Sequence, residues 1–154
     1  MQYWLFLIVL LPSVFVAAES SYCDWQLRQE GVLFYVDQPL CGLQGDSQRG
    51  RAVVIDRKLG NCLACHAMPI DEEAFHGEIG PPLHGVADRY SEAELRIRII
   101  DEGLINPDTI MPGFYRHPSD NFRLADAYAN KTFLTAQQVE DVITFLMTLQ
   151  ERRQ

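Results

Sequence analysis

Two proline-studded stretches, residues 67 to 90 and 104 to 134, set the main constraint on how this chain can fold. Pro69, Pro81, Pro82, Pro107, Pro112 and Pro118 break any long helix or central strand there. The same stretches carry many large apolar residues, among them Ile70, Phe75, Leu83, Ile110, Phe114, Phe122, Leu124, Tyr128 and Phe133. Structureless connections beyond about 15 residues are uncommon in compact domains unless function organises them. Apolar side chains on irregular backbone need an object to wrap around.

Three helices are predicted around these stretches, which makes the domain all-α. The first begins after Gly45, capped by Asp46 or Ser47, and carries Ala52, Val53, Val54 and Ile55, with Arg57 and Lys58 at its negative end before Gly60. The second has Ser91 and Glu94 as a capping box, an apolar stripe of Leu95, Ile99 and Ile100, and Gly103 as its stop. Arg96 and Arg98 are expected to flank that stripe. The third is the most regular, with Thr135 and Gln138 as a box and Val139, Val142, Ile143, Leu146, Met147 and Leu149 on one face. Only "VLFYV", residues 32 to 36, reads as a short strand.

The first residues run apolar from Tyr3 to Ala18, with Pro12 and Ser13 as the interruptions. That is short for a membrane span. Small residues at Val16 and Ala18 suit a leader peptidase, so residues 1 to 18 read as a secretory signal, with an uncleaved anchor as the alternative because no Lys or Arg precedes the apolar run. Either reading exports the rest of the chain, with no membrane span once the signal is cleaved. The remaining chain is one domain's worth. The formal net charge of −8 argues against nucleic acid as a partner, because binding it relies on clustered Lys and Arg.

Four cysteines in an exported chain permit two disulfides. Cys23 and Cys41 form one candidate pair, whose closure is worth about 3 kcal/mol in the chain-entropy model; a link to another chain is the alternative. Cys62 and Cys65 differ, because "CLACH" has the form C-x-x-C-H, the attachment site of a c-type haem. Each thiol adds to one vinyl group, and the imidazole of His66 falls beneath the iron. Zinc would need a second ligand pair that Cys23 and Cys41 do not offer, and a dithiol oxidoreductase would need a βαβ context. The haem also supplies the object that the apolar loops require.

A second axial ligand has six candidates: Met68, Met111, Met147, His76, His84 and His117. Met68 is too close to His66 to reach round the ring, Met147 falls on the apolar stripe of the last helix, and His84 has a surface setting. Met111 stands in "NPDTIMPGFYR", where Pro112 fixes the backbone behind it, and His117 is its rival. The Nδ1 proton of His66 needs an acceptor, and a carbonyl on rigid backbone is a natural one, with Pro81 the candidate.

A capped helix, C-x-x-C-H, the Gly80-Pro81-Pro82-Leu83 segment, a methionine loop and a final helix together resemble a class I cytochrome c from about residue 46 to 150. More narrowly, "GNCLACHAMPI", "GEIGPPLHGVADRYSEAELRIRI", "INPDTIMPGFYR" and "LTAQQVEDVITFLMTL" are similar to the SoxX family, monohaem cytochrome subunits of SoxXA complexes. The resemblance implies one covalent haem c on Cys62 and Cys65, His66 as proximal and Met111 as distal iron ligand, and Pro81 as support for His66. It implies a signal peptide over 1 to 18, an extension over 19 to 45, a cytochrome c domain over 46 to 154, and a periplasmic location. It further implies a SoxA-like partner carrying the catalytic cysteine-ligated haem of an L-cysteine S-thiosulfotransferase. The SoxYZ carrier would then be substrate and a small cytochrome c the electron acceptor. The alternatives are a free electron-shuttling cytochrome, a gas-binding sensor and a non-haem structural domain with two disulfides. The segment from Cys23 to Cys41 agrees least with that family.

Overall fold

The computed structural model describes residues 22–120 and 131–151. The signal sequence expected over residues 1 to 18, and Phe122, Leu124 and Tyr128, lie outside them. Two short antiparallel strands, β1 (Arg28–Glu30) and β2 (Leu33–Tyr35), pair Arg28 with Tyr35 and Glu30 with Leu33. Four helices follow: α1 (Ser47–Ile55), α2 (Val86–Arg89), α3 (Glu92–Asp101) and α4 (Ala136–Leu146). The domain is thus helical, with one small hairpin where "VLFYV" suggested a strand; α2, a single turn, lies within the stretch expected to be irregular.

Each long helix begins at a side-chain cap. Asp46 accepts from the Arg49 N–H, and Ser91 with Glu94, and Thr135 with Gln138, form complete capping boxes. The end of α1 departs from expectation. Asp56 turns to extended backbone and its carboxylate accepts the Lys58 N–H at 2.7 Å, so the helix stops at Ile55 and Arg57 and Lys58 lie in the following turn. An aspartate that bonds its own downstream backbone competes with the helical ladder.

Helices α1 and α4 cross at close range because Gly50 carries no side chain. A methyl group there would overlap the Asp141 carbonyl and come within 2.9 Å of Phe145 Cβ. The crossing is also bonded: the buried Asp141 carboxylate accepts from the Asp46 N–H at 2.7 Å and from Arg49 Nε and a terminal nitrogen at 2.8 Å each. Burial alone would raise its pKa, but Arg49, the Asp46 N–H and Gln137 outweigh that and hold it below the usual carboxylate range.

Arg96 does not flank the α3 stripe as expected; it is 2 % exposed, inside the core. It donates to both oxygens of Glu140 on α4 and, at 2.8 Å, to the Val36 carbonyl, while Glu140 also accepts the Leu40 N–H at 2.9 Å. A buried guanidinium is tolerated when its charge and donors are matched in this way. The result ties the segment after β2 to α3 and α4, with Val36 N–H bonding the Ala93 carbonyl at 3.0 Å. A disulfide between Cys23 and Cys41, with Cα atoms 5.6 Å apart, closes the same arm.

Val53, Val54, Ile97, Ile100, Val139, Val142 and Ile143 make up the centre of one core shared by α1, α3 and α4. Gly50→Ala is expected to cost about 3 kcal/mol or more, the range of severe overpacking, because both obstacles belong to α4 itself. Urea unfolding of the two proteins side by side checks this; a loss below about 1 kcal/mol would mean that the helices can part without penalty.

Candidate functional site

The turn carrying Cys62 and Cys65 is built directly on α1. Gly60 N–H bonds the Val53 carbonyl at 3.1 Å and Asn61 N–H bonds Asp56 O at 3.0 Å, which folds the chain back beside the helix it has just left. Asn61 takes a left-handed conformation, φ 47°, a region that Asn tolerates better than most residues. A one-turn 3₁₀ helix, Cys62–Ala64, follows, and both Cys65 N–H and His66 N–H bond the Cys62 carbonyl, at 3.1 and 2.9 Å. Both thiols are free and half-buried. Burial, with a smaller contribution from Cys65, pushes the Cys62 thiol up to about 12, which keeps it neutral and argues against a thiolate-based redox dithiol.

The loop after the motif returns to hold His66. Gly77 N–H bonds Leu63 O at 2.7 Å, Gly80 N–H bonds Cys65 O at 2.8 Å, and Leu83 N–H bonds Ala67 O at 2.8 Å. These bonds bring Pro81 O to 2.7 Å from His66 Nδ1. With Nδ1 donating to that carbonyl, Nε2 is the nitrogen left with a lone pair, the form a metal takes. Gly80 lies flat against the imidazole, with room for no side chain: a methyl would reach within 2.8 Å of Nε2 and closer still to the other edge.

Met111 is half-buried and, with Cys62, packs against the common core. Its backbone N–H bonds Thr109 Oγ1 at 3.1 Å within the loop. The other methionines and histidines have different employment. Met68 is 2 % exposed in the core, Met147 is half-buried against it, and His84 is exposed. His76 accepts the Met68 N–H at Nδ1. His117 is exposed, its Nδ1 is engaged with Ser119 Oγ at 2.7 Å, and its ring meets Tyr22 edge-on at 4.7 Å.

Several exposed apolar side chains lie near these residues in sequence: Leu59, Phe75, Ile79 and Ile110 are 37 %, 85 %, 68 % and 76 % exposed. Others, Val32 above all, lie on the hairpin. Among the described residues no group of three or more His, Cys, Asp or Glu side chains could hold a bare metal ion. Also among them, no helix is long and apolar enough to cross a membrane. Two free thiols, an imidazole oriented by a backbone carbonyl and uncovered apolar side chains suit a large apolar group with a central metal, and not a compact ion site.

The family model for cytochrome c matches residues 47–150. The chain is a cytochrome c. A SoxXA crystal structure from P. pantotrophus contains a chain similar to this cytochrome, with 36 % identity and a TM-score of 0.69 over 76 % of this chain and 90 % of that one. No curated protein sequence matches it. Together these findings make it a SoxX-like cytochrome c of class I architecture, and membership of the family implies covalently bound haem c with its iron.

Sequence reasoning passed over the close-packing glycines of this cytochrome. Gly77 abuts the Ala64 carbonyl, and Gly60 lies against α1, where a methyl would sit 2.8 Å from the Val53 carbonyl oxygen. A glycine two residues before the motif and another before Pro81 were visible, but the neighbour that makes each one necessary, Val53 or His66, is brought there only by the fold. Gly80→Ala is expected to displace the imidazole and break the bond to Pro81. Proton NMR of the reduced holoprotein checks it through the His66 Nδ1 proton, which should lose its protection from exchange; retained protection would show that the loop yields at little cost.

Proposed function

We propose that this chain is the electron-transfer subunit of a SoxXA-type complex, which couples thiosulfate oxidatively to a cysteine of a SoxYZ carrier and passes electrons to a small cytochrome c. The single observation that carries this reading is the likeness to the P. pantotrophus SoxXA chain over nine-tenths of that chain's length. In this reading Cys62 and Cys65 would hold one haem c through thioether bonds, His66 and Met111 would ligate its iron, and Pro81 would orient His66. Residues 1 to 18 direct export to the periplasm, 19 to 45 form an extension, and 46 to 154 form the cytochrome domain. A SoxA-like subunit carries the catalytic cysteine-ligated haem, so this chain supplies no catalytic residue to the L-cysteine S-thiosulfotransferase reaction.

When bound, haem c supplies a one-electron iron couple, which His–Met ligation sets toward the reduced form. The chain's own contribution is positional. The Pro81 carbonyl fixes the tautomer and plane of His66, and Gly80 lets the ring lie against the backbone. Met111 would supply the second protein ligand to the iron, which would leave no vacancy for substrate. The exposed apolar side chains of Phe75, Ile79 and Ile110 would be available to pack on the haem, and any water they excluded there would strengthen the electrostatic control of the couple. Because one iron takes one electron at a time, the two-electron oxidation of thiosulfate requires a further centre, which is the role assigned to the partner.

Purification of the complex from its native compartment, with intact masses and a haem count for each subunit, tests the proposal. A second haem-bearing subunit that copurifies in equal amount is the expected result; a haem-bearing monomer would make this chain a freely diffusing electron carrier. Met111→Ala tests the ligand set separately. The reduced variant should bind carbon monoxide stoichiometrically and show a lowered potential, whereas an unchanged visible spectrum would transfer the role to His117.

A further inference from the structure

Arg116 and Asp101 form a bidentate ion pair at the end of the methionine loop. Arg116 Nε donates to Asp101 Oδ2 at 2.7 Å and a terminal nitrogen donates to Oδ1 at 2.6 Å. Asp101 Oδ1 also accepts the Gly103 N–H at 3.0 Å. Two glycines make room for the guanidinium: a methyl on Gly113 would come within 2.5 Å of Arg116 Nε, and one on Gly103 would sit 3.0 Å from a terminal nitrogen. The pair therefore spans from the last residue of α3 to the stretch that follows Met111.

Asp101 ends α3 and also caps the 3₁₀ turn Glu102–Leu104 that follows, its carboxylate accepting the Gly103 N–H. Capping alone does not call for a guanidinium, and at the C-terminus of α3 the helix dipole disfavours an uncompensated negative charge. Asp101 gains by having a cation brought to it, and that cation comes from the methionine loop. The same end of α3 receives the loop backbone, with Phe114 N–H bonding Ile99 O and Tyr115 N–H bonding Ile100 O, both at 3.1 Å. These carbonyls belong to the last turn, where the helix has no partners of its own for them.

The loop thus has two anchors. The first is Asn106, whose N–H bonds Glu102 O at 2.9 Å, and the second is the run from Phe114 to Arg116. Between them, the hydrogen bonds of residues 107 to 112 are short-range: Asp108 N–H to Asn106 Oδ1, Thr109 N–H to Asn106 O and Met111 N–H to Thr109 Oγ1. Met111 packs its side chain against the core, but its backbone is bonded only within the loop, so the hold on that backbone comes from the anchors on either side.

We propose that the Arg116–Asp101 pair is the latch that sets how firmly Met111 is held in place, and thereby how readily the second axial position opens. Arg116 is a positioning residue that acts through the loop backbone, not a ligand. The inference rests on Met111 being the distal ligand. An incoming ligand can bind only to the open loop, so its apparent affinity scales with the fraction of molecules that are open.

The test is titration of the ferric holoprotein with imidazole, followed by visible absorption, together with the sulfur-to-iron charge-transfer band and the melting temperature. Arg116→Ala and Asp101→Asn should each bind imidazole about tenfold more tightly, the scale of losing charge-assisted bonds that are partly exposed. Arg116→Lys, which keeps the charge but not the fork, should fall between them and the wild type. Arg28→Ala, which removes the bidentate pair with Asp37 beside the hairpin, is the control: it should leave imidazole affinity unchanged. If Arg116→Ala and Asp101→Asn stay within about twofold of wild type, or if Arg28→Ala shifts affinity as much as they do, the latch is overturned. Asp101→Asn, nearly the same size as the native residue, decides the matter should Arg116→Ala not fold. Met111→Ala separates the two ideas. Loss of the sulfur-to-iron band in that variant with no effect of Arg116→Ala removes the latch alone, whereas a spectrum unaffected by Met111→Ala removes the ligand assignment and the latch with it.

Discussion

The close crossing of α1 and α4 is the constraint on which the rest of the molecule depends. Two helices from opposite ends of the domain meet where Gly50 lets one backbone lie on the other, and the buried Asp141 carboxylate binds both the start of α1 and Arg49. A short helix is marginal alone, so its stability must come from packing of this kind. Once α1 is fixed, the turn that bears Cys62 and Cys65 is fixed as well, because Gly60 and Asn61 hang from Val53 and Asp56. The attachment turn is in effect an extension of the helix crossing, and it inherits that crossing's rigidity.

From there the order of construction runs outward. The loop from His66 to Leu83 is hung on the attachment turn by backbone bonds to Leu63, Cys65 and Ala67, and only through them does Pro81 arrive at His66. The methionine loop is hung on the far end of α3, which is itself locked to α4 through Arg96 and Glu140. The two loops therefore reach the site from different supports that share one core. Under the proposed ligation, that arrangement would pair a fixed imidazole with a more yielding thioether.

Much of this was legible because local rules and tertiary structure agree. Asp46, Ser91 and Thr135 cap their helices with side chains whose spacing to Arg49, Glu94 and Gln138 can be read directly. The stripe on α4 and the strand in "VLFYV" have periods that a single segment displays. The end of α1 was misjudged because Asp56 bonds Lys58 instead of continuing the ladder, a competition that helix periodicity does not reveal. Arg96 was misplaced for a deeper reason. A charged residue beside an apolar stripe normally faces solvent, and only Glu140 and the Val36 carbonyl, distant in sequence, make its burial tolerable. Gly80 and Gly113 are similar: each is small because of a neighbour, His66 or Arg116, whose proximity is a property of the assembled fold.

The difference between the two sides of the site has a functional logic if the chain carries electrons in a SoxXA-type complex. A ligand that moves between oxidised and reduced states adds reorganisation to every transfer, so the side covalently tied to the chain should be the stiffer one. His66 meets that requirement through three supports at once: the adjacent Cys65, the carbonyl of Pro81 and the backbone of Gly80. Met111 belongs to a segment held at its ends, with local bonds between them, and under the proposed ligation small displacements would change the hold of so weak a donor on iron. The proposed latch would then regulate ligation without touching the iron, and would do so from α3, an element the Cys62–Cys65 turn does not use. Placing rigidity and adjustment on separate helices lets sequence change tune one without disturbing the other.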